Sequence, residues 1–383
     1  MWSPGSDDPK LIRPAGEVLK QQGCAPIKLL AKEGLAMING TQLITSLGTE
    51  ALIRAEKILD QAIVVAALSI EALLGTSRAF NPHIHNARPH VGQNYVAQKL
   101  RNLLPPSLKD TERYNQMLES GPDGNDHLYS ELKVHYAKDR EQTQDAYTLR
   151  CCPQVYGIAY DTLNFVRSIL QVEVNSATDN PMVVQATNQT MSGGNFHGEY
   201  PAKACDYLAI GISEIAQMSE RRLERMCNPG CNNSTAKIPA FAVARGGLNS
   251  GFMIAHCTSA ALVSENKVLV HPASADNIST SAAQEDHVSM GGMAARKAIN
   301  VVKNVEYCIA IEMLCALTVL DHHGKKTTKP LQAVWDHVRE KIPAYDSDRY
   351  FHPEIELAAE MLRNGEILEV CRDYFDLEEC GHD

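Results

Sequence analysis

Four short polar clusters stand inside otherwise apolar, helix-like sequence: Asn39-Gly40-Thr41-Gln42, Gln144-Asp145-Ala146-Tyr147-Thr148-Leu149-Arg150, Gly193-Gly194-Asn195-Phe196-His197 and Gln284-Glu285-Asp286-His287. Unpaired polar groups in such surroundings are costly, so these amides, this phenol, guanidinium and carboxylate are expected to converge on a site that uses them. Gln144, Tyr147 and Arg150 lie three apart and would share one side of a helix. Taken singly, each cluster has a plainer reading. Asn39-Gly40 reads as a tight turn, Gly193-Gly194 as a bend, and Gln144, Tyr147 and Arg150 as a solvated face. Glu285 and Asp286 read as acids favoured near a helix N-terminus. Metal ligation is not predicted: Cys227-x3-Cys231 lacks a second pair, His83, His85 and His90 fall in a Pro- and Asn-rich loop, and His322-His323 lies just past a helix.

The elements that must position these clusters are helices. From 290 to 320, Ala298, Val302, Val305, Ile309, Met313, Ala316 and Leu320 recur three or four apart, which predicts a long and central helix. Pro201 is expected at the first position of another, with Leu208, Ile212, Ile215, Leu223 and Met226 on its apolar face. A third is predicted from Leu43 to Leu74, and only Pro26–Leu30 and Met182–Gln185 could be short strands. Breaks are expected at Asn81-Pro82, Ser120–Asp126, Asn228–Thr235 and Gly324–Lys329, where Gly, Pro and Asn accumulate.

Composition excludes several classes. The 383 residues are 44% hydrophobic and 21% charged, ordinary for a globular protein, and the net charge of -10 argues against nucleic-acid binding. Arg221-Arg222 with Arg225, and Lys325-Lys326, read as solvated helix or loop charges. Gly247–Ser264 is too polar for a lipid-spanning helix of about 20 apolar residues, so no membrane segment is predicted. The eleven cysteines lack disulfide-scaffold spacing and no signal peptide opens the chain, which places the protein in the reducing cytoplasm as an expectation.

Six successive segments carry a family resemblance: EGLAMINGTQ (33–42), QDAYTLRCCPQVYG (144–157), NSATDNP (175–181), SGGNFHGEYPAKACDYLAIGI (192–212), GGLNSGFMIAH (246–256) and SAAQEDHVSMGG (281–292). In this order they resemble the histidine ammonia-lyase family of aromatic amino acid lyases, from about Pro26 to Leu368. The phenylalanine and tyrosine lyases share the first two patterns, whereas Asn-Phe-His-Gly-Glu at 195–199 and Gln-Glu-Asp-His at 284–287 are similar to the histidine enzymes.

The resemblance implies an all-α bundle of long helices, a homotetramer whose active sites draw on more than one subunit, and L-histidine as substrate. It implies elimination of ammonia to give trans-urocanate, with a methylidene-imidazolone (MIO) cofactor built from an Ala-Ser-Gly tripeptide as the electrophile. By the same resemblance Arg150 clamps the substrate carboxylate, and Tyr147 and Gln144 lie beside carboxylate and cofactor. Asn39 hydrogen-bonds cofactor or amine, Phe196 packs on the cofactor ring, and Glu285, with Gln284 beside it, meets the imidazole. Tyr147 and Glu285 are the catalytic residues on this reading. Ala-Ser-Gly occurs nowhere in the 383 residues; Ala273-Ser274-Ala275 and Asn249-Ser250-Gly251 do not match it in sequence or position.

Residues 1–27 are therefore expected to be a connector from an absent N-terminal domain, 28–375 the helical lyase domain and 376–383 an acidic tail. The loop from Cys227 to Lys237 is longer than the family pattern. Two readings follow: a lyase subunit lacking its cofactor-forming segment, or a non-catalytic short isoform acting as scaffold or regulatory partner in mixed oligomers.

Overall fold

The computed structural model describes residues 13–104, 144–231, 236–324 and 327–377. The expectations for the opening residues, for Ser120–Asp126, for the end of the 228–235 break, for Lys325-Lys326 and for most of the acidic tail lie outside the described residues. The chain forms two compact units, the described part of Met1–Thr41 with Ala177–Phe196, and Gln42–Ser176 with His197–Asp383. The fold is all-α.

The smaller unit contains two short helices, Ala15–Gln21 and Glu33–Ala36, and a hairpin of β1 (Met182–Val184) with β2 (Gln189–Met191), antiparallel with Met182 opposite Met191. Pro26–Leu30, expected as a possible strand, is not one. A strand needs a partner ladder, and here the Leu30 N–H is taken instead by the Glu33 carboxylate at 2.6 Å.

The larger unit is a bundle of α1 (Gln42–Ala72), α2 (Val91–Leu103), α3 (Cys152–Glu173), α4 (Glu199–Cys227), α5 (Met253–Leu269), α6 (Gly291–His322), α7 (Lys329–Lys341) and α8 (His352–Asn364). Helix α6, 32 residues and about 48 Å long, is buried on nearly every side, as are the last turns of α1 from Gln61 to Ala72. It packs most extensively on α4 and α1, and also on α5 and α8. Each Leu, Ile or Val enclosed there contributes about 1.5–3 kcal/mol. Helices α2 and α3 touch through backbone: a Cβ on Gly157 would stand 2.5 Å from the Gln93 nitrogen, so hydrogen is the only side chain the crossing admits.

Helix α4 begins at Glu199, two residues before Pro201, rather than at the proline. The first-turn N–H groups of a helix have no acceptor within it, so proline is tolerated at this third position. Among the described residues no helix is long and apolar enough to cross a membrane.

The charged run on α4 corrects the sequence reading. Arg222 is not a solvated charge; it is completely buried and pairs with the equally buried Glu312 of α6. Its Nη2 donates to Tyr156 Oη of α3 at 2.6 Å and its Nη1 to the Thr148 carbonyl at 3.3 Å, while Ser69 Oγ of α1 donates to Glu312 at 2.6 Å. Burial opposes the charge on Arg222, but the Glu312 carboxylate, with Tyr156 and Cys152, outweighs it and raises its pKa. A second carboxylate, Glu306, accepts from Arg54 of α1 at 2.7 and 2.9 Å and from Arg363 of α8 at 2.9 Å.

Removing one member of a buried pair strands the other charge. Arg222→Ala is expected to destabilise the protein by about 3–5 kcal/mol in urea unfolding, with joint apolar replacement of Arg222 and Glu312 recovering part of the loss. A second expectation concerns Glu71, whose burial raises its pKa from 4.5 to about 8. The folded state holds a proton that the unfolded chain releases, so stability should fall as pH rises from about 4.5 to about 8. Glu71→Gln should flatten that slope, and an unchanged pH profile of the unfolding midpoint would refute the assignment.

Candidate active site

The Gln144–Arg150 cluster forms a bend followed by a single helical turn, Tyr147–Arg150, leading into α3. A four-residue helix has no stability of its own, so tertiary contacts must hold it. Leu149 is buried beneath it, the Thr148 carbonyl accepts from Arg222, and the Asp145 side chain is buried where it accepts from the Thr76 backbone N–H at 2.6 Å. The Asp145 carbonyl in turn accepts from Arg150 Nε at 2.9 Å, and the Arg150 guanidinium lies over the Tyr147 ring at 4.6 Å. Nε and one face of the guanidinium are thereby fixed, and the edge formed by Nη1 and Nη2 retains its bidentate geometry. Tyr147 is 70% exposed.

Gln144 and Tyr147 line a cleft of about 560 Å³ together with Arg221, Glu224 and Arg225 of α4. Arg150 is not among the lining residues and stands beside the cleft through Tyr147. Sequence reasoning assigned no site role to Arg221 or Arg225. Arg221 binds Glu224 at 2.7 Å and also Glu220, while Arg225 donates to the Cys231 carbonyl at 2.6 Å. Asp145 was visible only as part of its motif; its partner Thr76 is 69 residues away.

Gln284 and Glu285 lie apart from that cleft, in the exposed loop that precedes α6. Glu285 and Asp286 are not first-turn acids of the helix, because five residues separate Glu285, and four Asp286, from its first residue, Gly291. Thr280 and Glu285 exchange backbone hydrogen bonds, 2.9 and 3.3 Å, and Thr280 Oγ1 donates to Glu285 Oε2 at 2.7 Å. Hydrogen bonds from Thr280 and Ser281 lower the Glu285 pKa, so it stands as an anion near neutrality. Between them Ser281, Ala282 and Ala283 all adopt φ between +51° and +67°. Non-glycine residues rarely enter this region, and the loop is held there by its cross-links. Asn277, not identified from sequence, closes the far side by donating to the Asp286 carbonyl at 3.1 Å and accepting from Val288 N at 2.8 Å.

Asn39 and Phe196 belong to the smaller unit. Asn39 Nδ2 donates to Asp179 Oδ1 at 2.9 Å, and Lys32 pairs with the same carboxylate at 2.8 Å. The Lys32 hydrogen bond is the main cause of the lowered Asp179 pKa. Phe196 is partly exposed. Of the metal groupings weighed from sequence, His85 is buried, its Nε2–H donating to the Ala79 carbonyl and its Nδ1 accepting from Gln93, and Cys227 is buried while Cys231 accepts from Asn228.

Against known proteins, the model of the family described as "Aromatic amino acid lyase" matches residues 7–340. The bovine (Bos taurus) histidine ammonia-lyase is 52% identical over 384 residues, covering 100% of this chain and 54% of that protein. The chain thus spans about half the length of that relative. The crystal structure of histidine ammonia-lyase from Trypanosoma cruzi is 47% identical with a TM-score of 0.80, over 97% of this chain and 67% of that one. A tyrosine aminomutase from Streptomyces globisporus superposes with the same TM-score at 34% identity, over 95% of this chain and 68% of that one. With the helical bundle, the ordered motif series and these likenesses together, the chain belongs to the aromatic amino acid lyase family.

Proposed function

We propose that this chain supplies the carboxylate- and imidazole-binding part of a histidine ammonia-lyase, which eliminates ammonia from L-histidine to give trans-urocanate. The observation that carries the reading is Arg150, its Nε held by the Asp145 carbonyl and its face set on Tyr147. A guanidinium oriented in this way meets a carboxylate without first losing side-chain freedom. Tyr147 and Gln144 flank that carboxylate, and anionic Glu285, with Gln284 beside it, accepts from the substrate imidazole.

In the family the amine-activating electrophile is the MIO group. Its Ala-Ser-Gly precursor is absent from the 383 residues, and Asn39, assigned to it by resemblance, is bound to Asp179. What the chain can do is bind and orient the amino acid; the amine-activating electrophile lies outside these residues. Assembly into a cytoplasmic homotetramer belongs to the same proposal. Helix α5 supports it: only Ala255, Ser259 and Asn266 are buried, and apolar Ile254 and Val268 stand 64% and 73% exposed.

Purified chain incubated with L-histidine should produce no urocanate, followed by ultraviolet absorbance, and steady formation would refute this reading. Co-expression with a polypeptide carrying the family's Ala-Ser-Gly segment should give a lyase-active tetramer by light scattering. A stable monomer indifferent to that segment would favour the non-catalytic isoform instead. In the reconstituted enzyme, Arg150→Ala and Glu285→Gln should each lower kcat/KM roughly ten- to a hundredfold, the worth of one charge-assisted hydrogen bond of about 1.5–3 kcal/mol. Asp145→Ala should act mainly through KM, because it removes the acceptor for the Thr76 N–H that seats the Asp145 carbonyl and so loosens the arginine rather than removing it.

A further inference from the structure

Outside the residues used above, His197, Glu199 and His287 bring one donor atom each within 4.8 Å of one another. All three lie in the larger unit: His197 just before α4, Glu199 at its first residue, and His287 in the loop preceding α6. The two imidazoles stack nearly parallel, with ring centroids 5.7 Å apart and planes 10° from one another. His197 Nε2–H donates to the His287 carbonyl at 3.1 Å, and Lys203 pairs with one oxygen of the Glu199 carboxylate.

We propose that His197, Glu199 and His287 form a binding site for a divalent cation of the zinc or cobalt class. Two imidazoles and one carboxylate are a complete protein donor set for an open tetrahedral site whose fourth position takes water or a ligand. The His197 hydrogen bond to a backbone carbonyl is the device that orients metal-binding imidazoles, and it places the proton on Nε2. Metal–donor distances of about 2.0–2.2 Å require the three donors to draw together from their present spacing. The His287 ring is exposed and can make that movement by side-chain rotation. The second Glu199 oxygen coordinates while the first keeps Lys203.

The test is titration of the intact chain with Co²⁺ alone and with Zn²⁺ alone, read by cobalt absorption and by calorimetry. One ion per chain is expected, with visible bands of tetrahedral nitrogen and oxygen ligation and without the intense near-ultraviolet bands of cobalt–thiolate bonds. The thiolate control matters because Cys24 and Cys257 are exposed. His197→Gln, His287→Gln and Glu199→Gln should each weaken binding roughly tenfold or more, while Glu199→Asp retains it and His352→Gln, at an exposed histidine outside the cluster, leaves it unchanged. Circular dichroism identical to the parent excludes misfolding as the cause. Absence of binding, thiolate bands, or affinity that survives all three glutamine substitutions would overturn the site.

Discussion

The buried guanidinium of Arg222 is the interaction on which most of the rest depends. Bringing it out of water is costly unless every donor is matched, and its partners come from different parts of the chain. Glu312 on α6, Tyr156 on α3 and, through Glu312, Ser69 on α1 lock four helices at one level. Its Nη1 reaches the carbonyl of Thr148, inside the turn that carries Tyr147 and Arg150. Helix register and the placement of this turn therefore meet at one side chain: shifting a helix would strand a charge, and shifting the turn would take an acceptor from the guanidinium.

The long helices were legible because apolar residues recur every three or four positions over many turns, and α6 follows that pattern from Ala298 to Leu320. The polar clusters were legible as clusters because they interrupt such stretches. Their partners were not. Arg222 sits in a run of charges indistinguishable from a solvated face, and its carboxylate is 90 residues away. Asn39 looks like half of a turn until Asp179, 140 residues later, accepts its amide proton. His197 and His287 come together across a similar gap. Local pattern encodes which face is buried, whereas the pairing of buried polar groups is a property of the folded chain.

The two substrate-facing groups of the proposal are held by different means. Arg150 is fixed by a backbone carbonyl and an aromatic face, contacts that leave its carboxylate-binding edge unchanged. Glu285 is fixed by hydroxyl and amide donors within its own loop, so its charge is maintained even where water reaches it. The loop accepts three left-handed residues to achieve this, at an expense of about 1–2 kcal/mol for each. On that proposal a single helical turn held by tertiary contacts carries the general amino-acid contact, and a cross-linked loop carries the one that distinguishes a side chain. The aminomutase that shares the fold shows that the bundle accommodates other chemistry.

Glu306 differs from Glu312 in having two guanidinium partners, Arg54 and Arg363, on helices that flank α6 from separate directions. Either arginine alone can neutralise the carboxylate. Over evolutionary time this redundancy permits drift: one arginine can be exchanged while the other keeps the helices together, and a replacement can then arise elsewhere on the same rim. Arg222 has no such understudy, so the partners of these two glutamates on one helix should age at different rates, one set free to wander among descendants and the other held fixed.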